Sequence, residues 1–374
     1  MRYLKVVLVF IFLLLSHITT FAQQLTDKAE VSLFTCGSGD ELYSVFGHTA
    51  IRVNDPEQNI DTVYNFGTFD FDTPNFYLKF VKGDLQYFVS VASYRDFIYE
   101  YEYFGRAVYE QVLNLTQKQK QEIFDELNNI LLSDKKFYTY KFIDRNCTTM
   151  VADIINKHEK ISLENSDKGK TYREIIYSYL NDNHFYENLG INLLFGNKTD
   201  ELSKKLFLPK ELMEGVNHTT TERGALAKKT LTIIKQQKYE KPFDFWNSYY
   251  SYALIMIIIL VLSYKKLVYR SFLALTGLLG LLFVLIGFYS KHMELLANYN
   301  VLLCNPLFLV LLYFIFTDNQ LWVKRLSYAC LSILAVYIAL TLTKPHFILM
   351  LPIIVIIVVI FVRLIRCTTL KRIV

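Results

Sequence analysis

Five apolar stretches fill the last third of the chain, and they constrain its architecture more than any other feature. They cover about residues 249–264, 271–288, 301–316, 326–342 and 347–364 of the 374-residue sequence. Apart from Arg363 at the end of the fifth stretch, all five are uncharged, and each approaches the roughly 20 residues with which a helix crosses a bilayer. Five in succession are too many for the core helices of one small domain. The sequence therefore predicts an all-α bundle of five transmembrane helices in residues 246–374.

The basic residues between these stretches predict the orientation of the bundle. Lys and Arg are concentrated after the first, third and fifth stretches, whereas the second and fourth gaps carry few of them. Because positively charged loops stay on the cytoplasmic side, the segment before the first helix is expected on the opposite side. The residues concerned are Lys265, Lys266, Arg270, Lys324, Arg325, Arg363, Arg366, Lys371 and Arg372.

Residues 1–22 are typical of a cleaved signal peptide. Arg2 and Lys5 precede an apolar run, Val6–Leu15, and small residues follow it up to the predicted cleavage after Ala22. The run is shorter than the roughly 20 residues of a membrane span, which argues against the alternative of a retained anchor. Residues 23–245 are thus predicted to form a periplasmic domain, which the helices hold at the bacterial inner membrane.

The composition of the exported segment excludes several classes of function. Asp and Glu outnumber Lys and Arg there, so no basic stripe is available for a nucleic-acid partner. The sequence lacks a His-Glu-x-x-His motif and a Cys-x-x-Cys pair, and its seven histidines are scattered. Neither a metal nor a cofactor is predicted.

Two kinds of periodicity predict an α+β fold for this domain. Alternating, β-branched runs at residues 31–35, 49–53 and 61–69 favour strands, and further runs at 85–91 and 107–113 extend the sheet. From Thr116 onward, apolar residues recur at helical spacing, and a second helical pattern follows Cys147. Residues 160–245 are polar and are predicted to be mostly helical.

His48 and Cys147 are the residues most suited to chemistry. Cys147 lies where a loop becomes a helix, and the positive end of a helix dipole lowers the pKa of a thiol there. His48 begins a strand after Gly47, and a neutral imidazole could accept the thiol proton. About 100 residues separate the two, so only the fold can bring them together.

Two other interpretations of these residues remain open at this point. Cys36 and Cys147 are the only cysteines of the exported segment, and an oxidising compartment favours a disulfide between them. A protein with that disulfide would be a non-catalytic membrane adaptor. His48 is equally compatible with a core histidine bonded to a backbone carbonyl.

Several short blocks of the exported segment are distinctive. The specific ones are Gly47-His48-Thr49 and Asn146-Cys147-Thr148-Thr149, and the others are Phe34–Val53, Tyr64–Phe71, Pro74–Phe76, Phe80–Gly83, Gly105-Arg106 and Asp144–Thr149. Together these blocks resemble the Lnb family, whose members are membrane-anchored bacterial lipoprotein N-acyltransferases. Their order also resembles the circularly permuted papain-like group that includes lecithin:retinol acyltransferase. The resemblance implies a permuted papain-like domain with a Cys–His acyl-transfer site, in which His48 and Cys147 occupy the matching positions.

Three further residues are candidates for support of this pair. Asn65 is expected to orient the imidazole, because its strand should run beside that of His48, and Asp70 is the second choice. Asn146 or the backbone N–H of Cys147 could stabilise an oxyanion. Tyr64, like Arg52 and Arg106, is a candidate for headgroup binding or for support of the sheet.

The expected reaction follows from the resemblance. A phospholipid would donate an acyl chain to Cys147, and the α-amino group of a diacylated lipoprotein would accept it at the surface of the lipid bilayer. The competing enzymatic interpretation keeps the Cys–His pair but makes the protein a periplasmic cysteine amidase or peptidase of cell-wall peptides. In the loop at 290–305, polar side chains are expected to be ordinary interfacial residues rather than headgroup contacts; they are His292, Glu294, Asn298 and Asn305.

Overall fold

A computed structural model describes residues 23–180, 184–237 and 243–370. The predicted signal peptide lies outside these residues, as do Lys371 and Arg372. The described chain consists of a mixed α+β domain followed by a group of apolar helices.

A seven-stranded antiparallel sheet organises the N-terminal domain. Its strands are β1 (Glu30–Cys36), β2 (His48–Asp55), β3 (Ile60–Thr68), β4 (Gln86–Ser93), β5 (Val108–Leu113), β6 (Phe137–Thr139) and β9 (Ala227–Ile234), in the spatial order β6-β4-β3-β2-β1-β5-β9. Two short strands, β7 (Thr220–Thr221) and β8 (Gly224–Ala225), form a separate pair. The strands predicted along residues 31–113 are thus present. The edge strand β9 was not predicted, because its outward-facing residues give it a polar sequence.

Helices cover both faces of this sheet. The helices of the domain are α1 (Phe76–Lys82), α2 (Tyr94–Tyr103), α3 (Gln117–Leu131), α4 (Cys147–Asn156), α5 (Tyr172–Leu180), α6 (Phe185–Leu194) and α7 (Pro209–Asn217). On one face, Leu33 and Ile51 pack with Ile123 of α3 and Val151 of α4. On the other face, residues of α2 cover the sheet. Burial of apolar area on both faces therefore fixes where α4 begins relative to β2 and β3.

The C-terminal part contains five apolar helices of unequal length. They are α8 (Tyr249–Leu262), α9 (Lys266–Tyr289), α10 (Leu307–Phe316), α11 (Gln320–Thr341) and α12 (Phe347–Leu370). By length and composition, α9, α11 and α12 can cross a membrane. At 1.5 Å per residue, the 14 residues of α8 and the 10 residues of α10 fall short of a hydrocarbon core of about 30 Å. Three of the five predicted spans are therefore candidate membrane helices.

The loop between α9 and α10 connects the two parts. The carboxylate of Glu294 accepts a hydrogen bond from the backbone N–H of Ile143 at 2.7 Å, and Asn298 donates to the carbonyl of Leu193 at 2.8 Å. His292, Glu294 and Asn305 are buried. Glu294 and Asn298 thus join this loop to the domain, whereas Asn305 accepts the N–H of Leu307 within its own segment. Burial leaves His292, Glu294 and Asn305 little access to a lipid headgroup.

A buried arginine gives the junction a second anchor. Arg173 of α5 donates to Asp200 at 2.7 Å, to Asn192 at 3.0 Å and to the carbonyl of Gly196 at 3.0 Å. Lys344, between α11 and α12, reaches the same Asp200 carboxylate. Because every partner of this buried cation is fixed, the network ties α5 to the helices at one relative position.

Candidate active site

Cys147 is the first residue of α4, and its position is fixed by the cap of that helix. The side-chain oxygen of Asn146 accepts the N–H of Thr149 at 3.0 Å, and the Thr149 hydroxyl accepts the N–H of Asn146 at 2.9 Å. The Asn146 amide also donates to the carbonyls of Phe142 and Phe207, at 2.7 and 2.9 Å. Asn146 therefore defines the start of the helix, and both hydrogens of its amide are already donated to carbonyls.

His48 is the first residue of β2, and a sharp turn delivers it there. Gly47 has a φ of +82°, and a Cβ at this position would lie 2.5 Å from the carbonyl oxygen of Cys36. Only glycine fits this conformation and this close approach. The next strand, β3, pairs with β2 so that Asn65 is opposite Ala50. The Nε2–H of His48 donates to the Oδ1 of Asn65 at 3.1 Å. The structure thus brings Asn65 to the imidazole.

Gly67 makes room for the approach of the imidazole to the thiol. It has a φ of +126° and lies at an irregularity in the pairing of β3 with β4. A Cβ there would lie 3.4 Å from Cε1 and 3.9 Å from Nδ1 of His48, and 3.6 Å from the Cβ of Cys147. Gly67 thus lies against both the imidazole of His48 and the residue that carries the thiol. Sequence reasoning missed Gly67, although a glycine inside a strand pattern often marks a close approach.

Charge stabilisation favours a thiolate–imidazolium pair at this site. Burial is the largest influence on Cys147 and disfavours the thiolate, but the His48 imidazolium, the N–H of Thr49 and the hydroxyl of Thr148 together lower the pKa of Cys147. Burial likewise disfavours the imidazolium, yet the charge and hydrogen bond of Cys147 and the bond to Asn65 raise the pKa of His48. Both side chains are only half-buried, so a substrate can reach them. The arrangement prepares a nucleophile next to a proton donor.

A threonine pair links the strand of His48 to the helix of Cys147. The hydroxyls of Thr49 and Thr148 lie 3.0 Å apart in a buried contact. Thr148 also approaches the thiol, with its hydroxyl 3.9 Å from Sγ. These two residues flank the site. Both belong to the most specific blocks of the sequence, but no sequence pattern assigned either of them a role in the site.

Cys36 and Cys147 are both free thiols. Cys36 is buried, and burial raises its pKa to about 12 in spite of a hydrogen bond from Tyr101 and the nearby charge of Arg106. The structure therefore contradicts the alternative of a Cys36–Cys147 disulfide. Cys36 is a neutral, inert component of the core on the α2 side.

The remaining sequence candidates have structural contacts. Tyr64 donates its hydroxyl to Asn128 of α3 at 2.8 Å, and burial raises its pKa to about 12. Arg52 pairs with Asp61 at 2.7 Å and with Glu110 at 3.0 Å. These bonds occupy the polar atoms of both side chains in the packing of the sheet. Arg106 likewise donates to the carbonyl of Gly37.

The site is separate from a cavity of about 600 Å³ near the apolar helices. That cavity is lined by residues that include Tyr177, Phe185, Ser248 and Leu349. His48, Asn65 and Cys147 are not part of its lining. Among the residues described, no group of His, Cys, Asp and Glu has the geometry of a metal site.

Replacement of Asn65 by alanine is expected to lower activity about 10- to 100-fold, the cost of about 1.5–3 kcal/mol for a hydrogen bond to a charged group. Because the imidazolium of His48 loses the acceptor that stabilises it, the pKa of His48 should fall. Since activity declines as this imidazolium deprotonates, the decline should begin at a lower pH. Asn65→Asp keeps an acceptor and serves as the matched control. The measurement is the pH dependence of the rate. An unchanged pH profile in Asn65→Ala would contradict the positioning role.

Comparisons with known proteins bear on the N-terminal domain. No curated protein and no solved structure matches the chain. Residues 20–179 match the family model described as the Lnb N-terminal periplasmic domain. The matched range includes His48, Asn65 and Cys147 and ends within α5. The comparison supports an Lnb-type periplasmic N-terminal domain, joined here to three apolar helices of membrane-spanning length.

Proposed function

We propose that this protein is an apolipoprotein N-acyltransferase that uses Cys147 as its nucleophile. The observation that carries the proposal is the half-buried pair at the start of α4 and β2, in which the pKa of Cys147 is lowered and that of His48 raised. A stabilised thiolate beside an imidazolium is the ground state that acyl transfer through a thioester requires. Asn65 would keep the imidazole oriented.

The first half-reaction would transfer an acyl chain to the enzyme. The Cys147 sulfur attacks the ester carbonyl carbon of a phospholipid, so that a C–S bond forms and the ester C–O bond breaks. The imidazolium of His48 gives its proton to the departing glycerol oxygen. The N–H of Cys147, at the start of α4, precedes the helical hydrogen-bond ladder and suits the developing oxyanion. A lysophospholipid leaves, and the acyl chain remains as a thioester.

The second half-reaction would transfer the chain to nitrogen. The α-amino group of a diacylglyceryl-modified N-terminal cysteine attacks the thioester carbonyl, and His48 accepts the proton that the amine loses. An N–C bond forms, the C–S bond breaks, and the thiolate–imidazolium pair is restored. The product is a triacylated lipoprotein.

The proposal extends to the architecture. The order of the histidine strand before the cysteine helix favours a permuted papain-like core. The five apolar helices would lie in the bacterial inner membrane as a multi-pass bundle, with α8 and α10 completed by the segments that flank them. Both substrates carry acyl chains, and each buried CH₂ contributes about 0.8 kcal/mol to staying in the bilayer. An enzyme for such substrates has to hold its thiol at the membrane.

The test is mass spectrometry of a lipoprotein co-expressed with this protein in cells that lack their own N-acyltransferase. The N-terminal peptide should gain the mass of one acyl chain, and the added chain should resist hydroxylamine because it is an amide. Cells without the protein are the control. Absence of the added mass despite stable insertion, together with cleavage of cell-wall peptides, would instead establish the cysteine amidase or peptidase.

A further inference from the structure

An exposed apolar surface lies next to the site and has no partner in the described chain. Its members are large side chains that are more than half exposed, and they come from the loop before Val45, from the segment after β3 and from α1: Leu42, Tyr43, Phe71, Tyr77 and Leu78. We refer to these five residues as the aromatic patch. Side chains of this size gather at an interaction site more often than at a free surface.

The aromatic patch is held at the end of a candidate membrane helix. Directly after α9 ends at Tyr289, the hydroxyl of Ser290 donates to the carbonyl of Val81 at 2.6 Å. The N–H of Lys291 donates to the carbonyl of Lys82 at 2.8 Å. The Nε2–H of His292 donates to the backbone carbonyl of Phe80, also at 2.8 Å. Helix α1 is thus fixed where α9 leaves the apolar region, which is the level of the bilayer interface.

An aromatic cluster leads inward from the patch. Phe71 packs on Phe69 at 4.9 Å between ring centroids, and Phe69 packs on Tyr87 at 5.0 Å. Tyr87 stacks on Tyr140 at 4.5 Å. The same cluster contacts Met150, which lies one turn after Cys147 on α4. The inner end of this aromatic path therefore lies against the turn of helix that carries the thiol.

The tyrosines at the inner end form a neutral wall. Burial raises the pKa of Tyr87 and Tyr138, and the nearby Cys147 raises it further. A wall of neutral rings suits an apolar chain and offers no competing base.

We infer that the aromatic patch is immersed in the outer leaflet and that the acyl chain of a membrane phospholipid passes along Phe71, Phe69 and Tyr87 to Cys147. This inference rests on the proposed acyl transfer and specifies its donor as a lipid within the bilayer rather than a dispersed one. The exposed charges that flank the patch in sequence, Glu41, Asp70 and Asp72, are acidic, and Lys79 beside Leu78 is partly buried. The contact is therefore apolar, and high salt should not weaken it.

Fluorescence of the full chain in nanodiscs tests the immersion without reference to activity. In a background of Trp246→Phe and Trp322→Phe, the variants Tyr77→Trp and Tyr103→Trp place one indole at two equally exposed sites, and Tyr103 belongs to α2 on the opposite face of the sheet. Brominated phospholipid should quench the Tyr77→Trp protein at least about twofold more. Equal quenching of the two would overturn the immersion.

Kinetics test the access route. In Tyr77→Ser/Leu78→Ser, transfer to Cys147 from bilayer phosphatidylethanolamine should fall about tenfold, as two apolar side chains lose their burial in lipid. The reaction with p-nitrophenyl butyrate, a short soluble ester, should not change. The matched control Tyr99→Ser/Tyr103→Ser removes exposed rings from α2 and should affect neither donor.

Two outcomes would contradict this route. An unchanged rate from the bilayer donor would show that the patch is not used. An equal loss with both donors would show that the patch supports the structure of the site and does not guide the acyl chain. A wild-type protein that reacts with neither donor would refute the proposed function instead. The quenching measurement keeps these failures distinguishable, since it needs no reaction.

Discussion

Cys147→Ala is expected to reduce lipoprotein N-acylation by about 1,000-fold or more, which is the scale on which a covalent nucleophile contributes. The substitution removes the thiol that interacts with His48 and leaves the cap of α4 intact, because the cap bonds involve Asn146 and Thr149. The protein should therefore fold and insert normally. The measurement is the rate of acyl transfer to a lipoprotein peptide, together with intact mass of the enzyme after incubation with phospholipid alone.

Cys36→Ala is the matched control for this loss. Cys36 is a free thiol like Cys147, but it is buried and its raised pKa of about 12 keeps it protonated. The wild type and Cys36→Ala should each gain one hydroxylamine-labile acyl chain, and Cys147→Ala should gain none. Transfer at the wild-type rate by Cys147→Ala would mean that the nucleophile is a different residue.

His48→Ala is expected to lower the rate by about 1,000-fold and to raise the pKa of the Cys147 thiol. The imidazolium stabilises the thiolate by its charge and by a hydrogen bond, and without it the opposing influence of burial dominates. The sign follows directly: a higher thiol pKa leaves less thiolate at neutral pH, so alkylation of Cys147 should require more alkaline solution. The expected loss in rate also includes the missing proton donor for the leaving group.

The pH dependence of iodoacetamide labelling measures this shift. Peptide mass spectrometry separates Cys147 from the exposed Cys367, which serves as an internal reference in every sample. In the wild type, Cys147 should react at a lower pH than in His48→Ala, whereas the reference should behave alike in both. Identical labelling curves for Cys147 would show that His48 does not set the state of the thiol.

Local patterns explain how much of this fold could be predicted. The alternation of Val31–Thr35 and the helical spacing after Thr116 depend on neighbouring residues alone, and both elements are present. The segment Phe76–Lys82 has no periodicity that decides between strand and helix, and it forms a helix that contacts Ser290 and Lys291. The edge strand β9 was not predicted because its sequence is polar. Its extended conformation is stabilised by backbone hydrogen bonds to β5, which no local pattern indicates.

The candidate site divides in the same way. The sequence could place Cys147 at a helix start and His48 at a strand start, and the choice of Asn65 followed from the expected neighbouring strand. It gave no basis for Gly67, or for the use of Tyr64 in the packing of α3. Those depend on a bulge and on a helix that lies 64 residues further along the chain.

The sequence alone determined that this chain has an α+β domain ahead of apolar helices, because hydrophobic periodicity and stretch length are local properties. Only the tertiary structure decided that His48 and Cys147 meet, that Cys36 is a buried free thiol, and that α1 lies at the end of α9. Contacts between residues distant in sequence arise from strand register and from packing of the two faces of a sheet. No local pattern encodes these, since they depend on the whole chain being folded at once.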